Sequence, residues 1–293
     1  MLATLAPEPG ATPRSLKIFP LVFTRVPPST IARRTSEFEL ANAAVAAVAS
    51  IAADGSTSIV LTTFAPFASD GIYAVLDAST LLSPEPSNVT TITKQVVWPN
   101  QADSVPAGVA QQLGMRAAIL SAGGFFPNPE KATGKVQLHD VSALPAVTSL
   151  QISTDKSSYF YHHAEWVAGR DGNPVVLAAR AIDPTLPWKH AAGELVVLEQ
   201  PSVAGGAWTE TVVAAGPDVA FTLTDLDGPG APSLVAAQYF SAKQLTVWSC
   251  GAPSWALCAG GVNVSSMLID DAEGAGYFNV QWVDLNGDGR KCA

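Results

Sequence analysis

Short runs of apolar and β-branched residues recur along the chain, each bounded by glycine, proline or polar residues. Their length and composition predict buried β-strands. Four such runs follow a glycine: Ser58–Phe64, Arg116–Ala122, Pro174–Arg180 and Ser233–Tyr239. A second strand-like run begins 13 to 21 residues after each of these glycines: Gly71–Asp77, Gly134–Asp140, Gly193–Glu199 and Lys243–Ser249. The pattern predicts an all-β fold.

The glycines that precede the first set of runs are evenly spaced. Gly55, Gly114, Gly172, Gly230 and Gly289 follow one another at intervals of 58 or 59 residues. A third strand is predicted before the glycine, in Tyr161–Val167, Val219–Thr224 and Tyr277–Val283, and a fourth between units, as in Thr209–Ala214. Four short strands in each repeat of this length are typical of a β-propeller blade.

The repeat spacing also divides the chain. We expect four complete blades, at about 36–90, 91–149, 150–213 and 214–268, and the start of a fifth at 269–293. Residues 1–35 form an N-terminal tail or the end of a preceding blade. A propeller has to close its ring, so either the sequence is a piece of a larger propeller or the strand Leu16–Phe23 completes the fifth blade. We favour the first alternative.

Two Asp-rich loops carry a family resemblance. Asp284–Arg290 and Asp225–Gly230 resemble the loops of the FG-GAP/VCBS-repeat propellers, which include integrin-α-like repeats, and the resemblance extends from about residue 36 to the C-terminus. It implies four-stranded blades and loops that hold Ca²⁺. Both loops depart from the family pattern, because Cys292 takes the usually acidic ninth position of the last loop and Pro229 the fifth position of the other.

Calcium needs several oxygen ligands at about 2.3–2.6 Å, which carboxylates at alternate positions of a tight loop supply. The candidate metal ligands are Asp284, Asn286 and Asp288 in the last loop and Asp225 and Asp227 in the other. The alternative is that these residues form Asx turns, in which the side chain bonds its own backbone.

A second candidate site lies in the predicted strand Tyr161–Val167. Strand alternation places His163 with Tyr161 and Glu165 on one face and His162 with Ala164 on the other. His163 and Glu165 are the candidate catalytic residues, as a general base and its orienting carboxylate. His162 and Arg180 are candidate ligand-binding residues. The alternative is that all four side chains only pack between blades.

Charge and composition narrow the classes of partner. The chain of 293 residues has 16 Lys and Arg against 25 Asp and Glu, so its formal charge of −9 argues against nucleic acid as a partner. The hydrophobic content of 48% excludes an intrinsically disordered chain. No apolar run is long enough to span a membrane.

The cysteines and sequons bear on the compartment. Cys250 and Cys258 could close a small loop, but we expect them to be ordinary buried thiols, with Cys292 also unpaired. Two glycosylation sequons, at Asn88 and Asn263, fit a secreted chain, although no signal peptide is visible at the N-terminus.

The sequence contains no GxSxG, HExxH, phosphate-loop or dinucleotide-binding motif. We therefore expect a non-catalytic propeller that binds a protein or carbohydrate ligand and is stabilised by Ca²⁺. The alternative is a propeller-type lyase or dehydratase acting on a sugar, with a metal ion as electrophile and His163 as base.

Overall fold

A computed structural model describes the following residues: 2–4, 15–19, 36–39, 43–49, 51–52, 54–63, 71–82, 89–124, 133–182, 192–202, 206–226, 231–271 and 276–280. Strands dominate this part of the chain, which confirms the predicted all-β class. Among these residues, no helix has the length and apolar character that crossing a lipid bilayer requires.

The N-terminal strands form two antiparallel sheets. The first sheet has the order β1-β2-β3 and consists of β1 (Leu2–Thr4), β2 (Ser15–Phe19) and β3 (Ser36–Glu39). The next is a meander of β4 (Ala43–Ala49), β5 (Ser58–Thr63), β6 (Gly71–Val75) and β7 (Val89–Thr93). A 3-10 segment, Ala78–Leu82, lies between β6 and β7.

The following sheet has the order β11-β10-β9-β8. Its strands are β8 (Gln101–Ser104), β9 (Ala118–Gly123), β10 (Thr133–Ala143) and β11 (Ala146–Gln151), and the short β12 (Lys156–Ser157) also pairs with β10. A six-residue helix, α1 (Ala107–Gln112), separates β8 from β9. Gly114, one of the evenly spaced glycines, therefore follows directly after the end of a helix.

Two further meanders complete the described fold. One consists of β13 (Phe160–Ala168), β14 (Pro174–Ile182), β15 (Ala192–Glu199) and β16 (Thr209–Ala215). The other consists of β17 (Phe221–Thr224), β18 (Ser233–Ala237), β19 (Leu245–Cys250) and β20 (Val264–Asp270). The prediction of a strand at Tyr277–Val283 is wrong for its first part, because Tyr277–Val280 have no regular secondary structure. Residues 281–283 lie outside the described residues.

Three of the evenly spaced glycines lie in the described residues, and they share one backbone conformation. Gly55, Gly114 and Gly172 have φ of +78°, +75° and +75°. A Cβ added at any of them would meet nothing within 4 Å, so the left-handed conformation, and not lack of space, accounts for the glycine. Gly230 and Gly289 lie outside the described residues.

The ladders of the four-stranded meanders contain recurrent register shifts. The pairing of the third strand with the fourth shifts at or before the middle of the third strand in each meander: at Ile72/Tyr73, at Leu195/Val196 and at Leu245/Thr246. A further shift lies between Tyr161 and His163, where β13 pairs with β14. Such β-bulges add an unpaired residue and change which face the following side chains occupy.

The chain divides into two compact units. Unit 1 contains residues 1–121 and 138–149, and unit 2 contains 122–137 and 150–293, so the division passes through the sheet of β8 to β11. In unit 1, Ile72 and Ile92 of the β4–β7 sheet pack in one apolar core with Ile119 and Val141 of the next sheet.

The core of unit 2 lies between its two four-stranded meanders. The face of the β13–β16 sheet that carries Val175 and Leu177 packs against Phe221 and Leu234 of the β17–β20 sheet. Trp255, from the 3-10 segment Trp255–Gly261, is fully buried in the same core. Sheets packed face to face fit successive propeller blades, although the propeller arrangement and the repeat boundaries stay predictions.

The prediction that Cys250 and Cys258 are free thiols is wrong. The 3-10 segment folds back beside the end of β19, and the two residues form a disulfide bond that closes a short loop. Constraint of the unfolded chain by a loop of this length stabilises the fold by about 2–3 kcal/mol.

Reduction of this disulfide is expected to lower the unfolding midpoint of unit 2 by roughly 5–10 °C, because about 2–3 kcal/mol shifts the midpoint by that amount in a domain of this size. Scanning calorimetry with and without a phosphine reductant measures the shift. The Cys292→Ser variant should show the same shift, which separates the disulfide from the third cysteine. An unchanged midpoint with the bond reduced would contradict this expectation.

Candidate functional site

The bulge in β13 changes the faces that alternation predicts for the histidine strand. Tyr161 pairs with Arg180 and His163 pairs with Ala179, so His162 is the extra residue between them. Neighbouring positions on β14 face opposite sides of the sheet. The prediction that Tyr161 and His163 share a face is therefore wrong.

His163 and Glu165 do form the predicted pair. His163 Nε2 lies 2.7 Å from Glu165 Oε1, and both side chains are half-buried. The imidazole packs edge-on against the Phe221 ring, with 4.6 Å between the ring centroids. The pair thus lies on the face of β13 that joins the apolar core of unit 2. The catalytic role of these two residues stays a prediction.

His162 lies among aromatic rings. Its ring centroid is 4.9 Å from that of Phe160, 5.7 Å from that of Phe240 and 5.4 Å from that of Phe278. The Nε2 atom is buried and has no hydrogen-bond partner in the part of the chain that the structure describes. Burial, and then the neighbouring His163, lower the pKa of His162 to about 3, so the imidazole is neutral at physiological pH.

Tyr239 extends this group to the surface, and we call Phe160, His162, Tyr239, Phe240 and Phe278 the aromatic cluster. The Tyr239 and Phe278 rings meet edge to face at 5.5 Å, and these residues are 42% and 55% exposed. Large aromatic residues usually bury most of their surface, so an exposed pair beside the half-buried His162 imidazole is a candidate contact surface.

The buried Asp218 carboxylate fixes the turn that carries Tyr239 and Phe240. It accepts hydrogen bonds from the backbone N–H groups of Tyr239 at 2.8 Å and Phe240 at 3.1 Å, and from the Ser241 hydroxyl at 2.6 Å. Burial raises the pKa of Asp218, although these hydrogen bonds oppose the rise. The cluster therefore has a rigid backbone support that the sequence did not predict.

The other face of β13 carries a buried charged group centred on Arg180, which is 1% exposed. Its Nε and Nη2 donate to Glu194 Oε2 at 2.8 and 2.6 Å. Its Nη1 donates to the Tyr161 hydroxyl at 2.9 Å and also to Glu210. Although burial opposes the charge, Tyr161 and the two glutamates raise the pKa of Arg180 above its ordinary value.

Further donors complete this group, which we call the Arg180 network. Lys156 Nζ and the Tyr159 hydroxyl donate to Glu194 at 2.9 and 3.1 Å. Glu210 accepts from the Thr154 N–H and from the Tyr161 hydroxyl, both at 2.9 Å.

The glutamates of the network are ionised and satisfied. Burial raises the pKa of Glu194, but hydrogen bonds from Lys156 and Arg180 outweigh it and leave a lowered value. The same balance, with the Thr154 N–H as the leading donor, lowers the pKa of Glu210. Two cations balance two anions, and the guanidinium predicted to bind a ligand is engaged with protein groups.

A third titratable group, in unit 1, was not predicted. His139 is fully buried, with Nε2 2.8 Å from the Ser121 hydroxyl and Nδ1 2.8 Å from the Ser149 hydroxyl. Burial lowers its pKa to about 4. The three side chains come from the adjacent strands β9, β10 and β11 and tie them together as a neutral hydrogen-bonded chain.

The predicted calcium ligands are mostly outside the described residues, which include Asp225 but not Asp227, Asp284, Asn286 or Asp288. Asp225 is exposed. No group of three or more His, Cys, Asp or Glu side chains in the described part of the chain is placed to hold a metal ion. In the first repeat, Asp54 Oδ1 accepts from the Ser56 N–H at 2.9 Å, which is an Asx turn of the kind that is the alternative to metal binding in the two Asp-rich loops.

Comparison with known proteins identifies no relative of this chain. No family model, no curated protein and no solved structure matches the chain. The fold and site define a member of the all-β class built from four-stranded antiparallel meanders, and the FG-GAP/VCBS resemblance stays an expectation.

Proposed function

We propose that this chain is a non-catalytic binding module, a propeller of FG-GAP/VCBS type that contacts a carbohydrate ligand through the aromatic cluster. The observation that carries the proposal is the exposed Tyr239–Phe278 pair beside His162, whose buried Nε2 has no hydrogen-bond partner among the described residues. Ca²⁺ bound by Asp284, Asn286 and Asp288 belongs to the same proposal as a stabilising ion.

The chemistry of the aromatic cluster favours a neutral sugar. Ring faces match the C–H face of a pyranose, and the imidazole beside them is uncharged because of its low pKa, so the cluster itself carries no charge. Ligand sites generally combine apolar walls with a few polar groups of this kind. A stable protein interface buries about 800 Å² on each partner, which is far more than a few aromatic side chains provide.

The separation of the titratable groups favours binding over catalysis. The β13 bulge directs His163 and Glu165 to the core face and Tyr161 to the face of Arg180. A lyase or dehydratase that uses His163 as base needs its acid, base and electrophile to converge on one sugar.

Tyr239→Ala and Phe278→Ala are each expected to weaken sugar binding by about tenfold or more, because loss of a central aromatic contact typically costs about 2 kcal/mol. The measurement is binding of the labelled protein to an array of immobilised saccharides. Val262→Ala is the matched control, because Val262 is an exposed apolar residue of unit 2 outside the cluster.

Absence of saccharide binding, or binding that both aromatic variants retain, would overturn this proposal. Conversion of a sugar that the His163→Ala variant abolishes would establish the lyase alternative.

A further inference from the structure

Asn263 stands at an exposed turn of unit 2, between the 3-10 segment and β20. Its φ is +58°, a left-handed conformation that asparagine tolerates at turns. The backbone carbonyl accepts a hydrogen bond from the Gly251 N–H at 2.9 Å, which fixes the turn. The side-chain amide is exposed and makes no hydrogen bond within the described part of the chain.

This residue begins the sequon Asn263-Val264-Ser265. N-linked glycosylation requires the asparagine amide and a hydroxyl two residues later, on a surface segment. Ser265 is exposed at the start of β20, where it pairs with Ser249. Both reactive positions of the sequon are therefore on the surface of the folded chain, where an attached glycan displaces no packed side chain.

The neighbouring disulfide is independent evidence for the compartment in which such a glycan is added. Cys250, bonded to Cys258, pairs with Val264 in the same ladder. Disulfides form in the oxidising secretory pathway and are rare in the cytosol. The same compartment carries out N-linked glycosylation in eukaryotic cells.

The strand that follows Asn263 gives the glycan a physical role. Met267, Leu268 and Ile269 are all exposed, Met267 by 63%, and β20 is an edge strand of its sheet. An exposed apolar edge is a template for unwanted strand pairing, and folded chains commonly cover or charge such edges. A hydrated oligosaccharide anchored at Asn263, in the turn before β20, would shield this apolar edge.

We propose that Asn263 is the acceptor of an N-linked glycan that shields the β20 edge. This proposal does not rest on sugar binding by the aromatic cluster. It assigns a modification site on a different part of unit 2, and the Tyr239→Ala and Phe278→Ala variants should carry the glycan as the unchanged chain does.

The test is secretion of the full chain, behind a cleavable signal peptide, from a eukaryotic cell line, followed by peptide mass analysis before and after enzymatic removal of N-glycans. Asn263→Gln and Ser265→Ala should each lose the mass of one glycan. Ser265→Thr, which preserves the sequon, and Asn88→Gln, which removes the other one, should both keep the Asn263 glycan.

Translation of the same variants in the presence of microsomes gives the same readout if a variant is not secreted. Chain with an intact Cys250–Cys258 disulfide and an unmodified Asn263 would overturn the proposal. Sedimentation before and after glycan removal tests the shielding role, because the exposed β20 edge should then produce self-association that the glycosylated protein lacks.

Discussion

Replacing Arg180 with methionine is expected to lower the free energy of unfolding of unit 2 by about 3–5 kcal/mol. Methionine fills much of the same volume but leaves Glu194 and Glu210 without their shared cation. Removal of one member of a buried ion pair is strongly destabilising because the remaining charge is uncompensated. Urea unfolding followed by tryptophan fluorescence measures the change, since four of the five tryptophans in the described residues lie in unit 2.

Two further variants separate charge from size in the Arg180 experiment. Arg170→Met makes the same substitution at an exposed arginine, whose Nε lies 3.4 Å from Glu199 Oε1 and whose Nη2 donates to the Ala256 carbonyl, and should cost about 1–2 kcal/mol. The triple variant Arg180→Met, Glu194→Gln, Glu210→Gln should recover part of the lost stability because no buried charge remains. Equal effects of Arg180→Met and Arg170→Met would show that the buried network contributes no more than a surface pair.

Acidification from pH 6.5 to pH 4 is expected to lower the stability of unit 1 by about 3 kcal/mol through His139. Its pKa is about 4 in the folded protein against 6.5 in the unfolded chain, so the unfolded chain binds more protons in this range. Stability is therefore complete above pH 6.5 and falls as the pH decreases towards 4. Hydrogen exchange of β9 and β10 peptides, corrected for the intrinsic pH dependence, measures the loss.

The His139→Gln variant tests the assignment, because glutamine does not titrate. It should flatten this pH dependence in unit 1, whereas His162→Gln should leave unit 1 unchanged and act on unit 2. A direct check is the imidazole titration by NMR, in which His139 should remain neutral down to about pH 5. Titration of His139 near pH 6.5 in the folded protein would contradict the expectation.

The strands were predictable from the sequence because burial and β-branching coincide in them. Ser58–Thr63 and Pro174–Ile182 are rich in β-branched and apolar residues in the sequence and form buried strands in the structure. Gly55 and Gly172 were predictable for a different reason, since a left-handed turn leaves few alternatives to glycine. Local chemistry determined both features.

The candidate site depends on backbone registration, which composition does not reveal. One inserted residue in β13 separates His163 from Tyr161, and regular alternation cannot anticipate it. One signal of the Arg180 network was available, because Arg180 and Glu194 each interrupt an apolar strand. In the structure Arg180 of β14 pairs with Glu194 of β15, so the two opposite charges compensate each other. The contacts of Glu210 and His139 could be recognised only once the fold was known.

The disulfide and the aromatic cluster were missed for a related reason. Cys250 and Cys258 approach because the chain reverses between the end of β19 and the 3-10 segment that contains Cys258, and Asp218 holds the turn that carries Tyr239 beside Phe278. Both contacts depend on irregular segments, where periodicity carries no information.

The register shifts at Ile72/Tyr73, Leu195/Val196 and Leu245/Thr246 bear on the ancestry of the chain. Side chains at these positions have diverged, yet the hydrogen-bond ladder shifts near the same point of each meander. Duplication of one ancestral module would leave such a pattern, because an inserted residue is harder to remove from a packed sheet than a side chain is to replace. Distant relatives of this chain are therefore better identified by the spacing of their β-bulges and left-handed glycines than by residue identity.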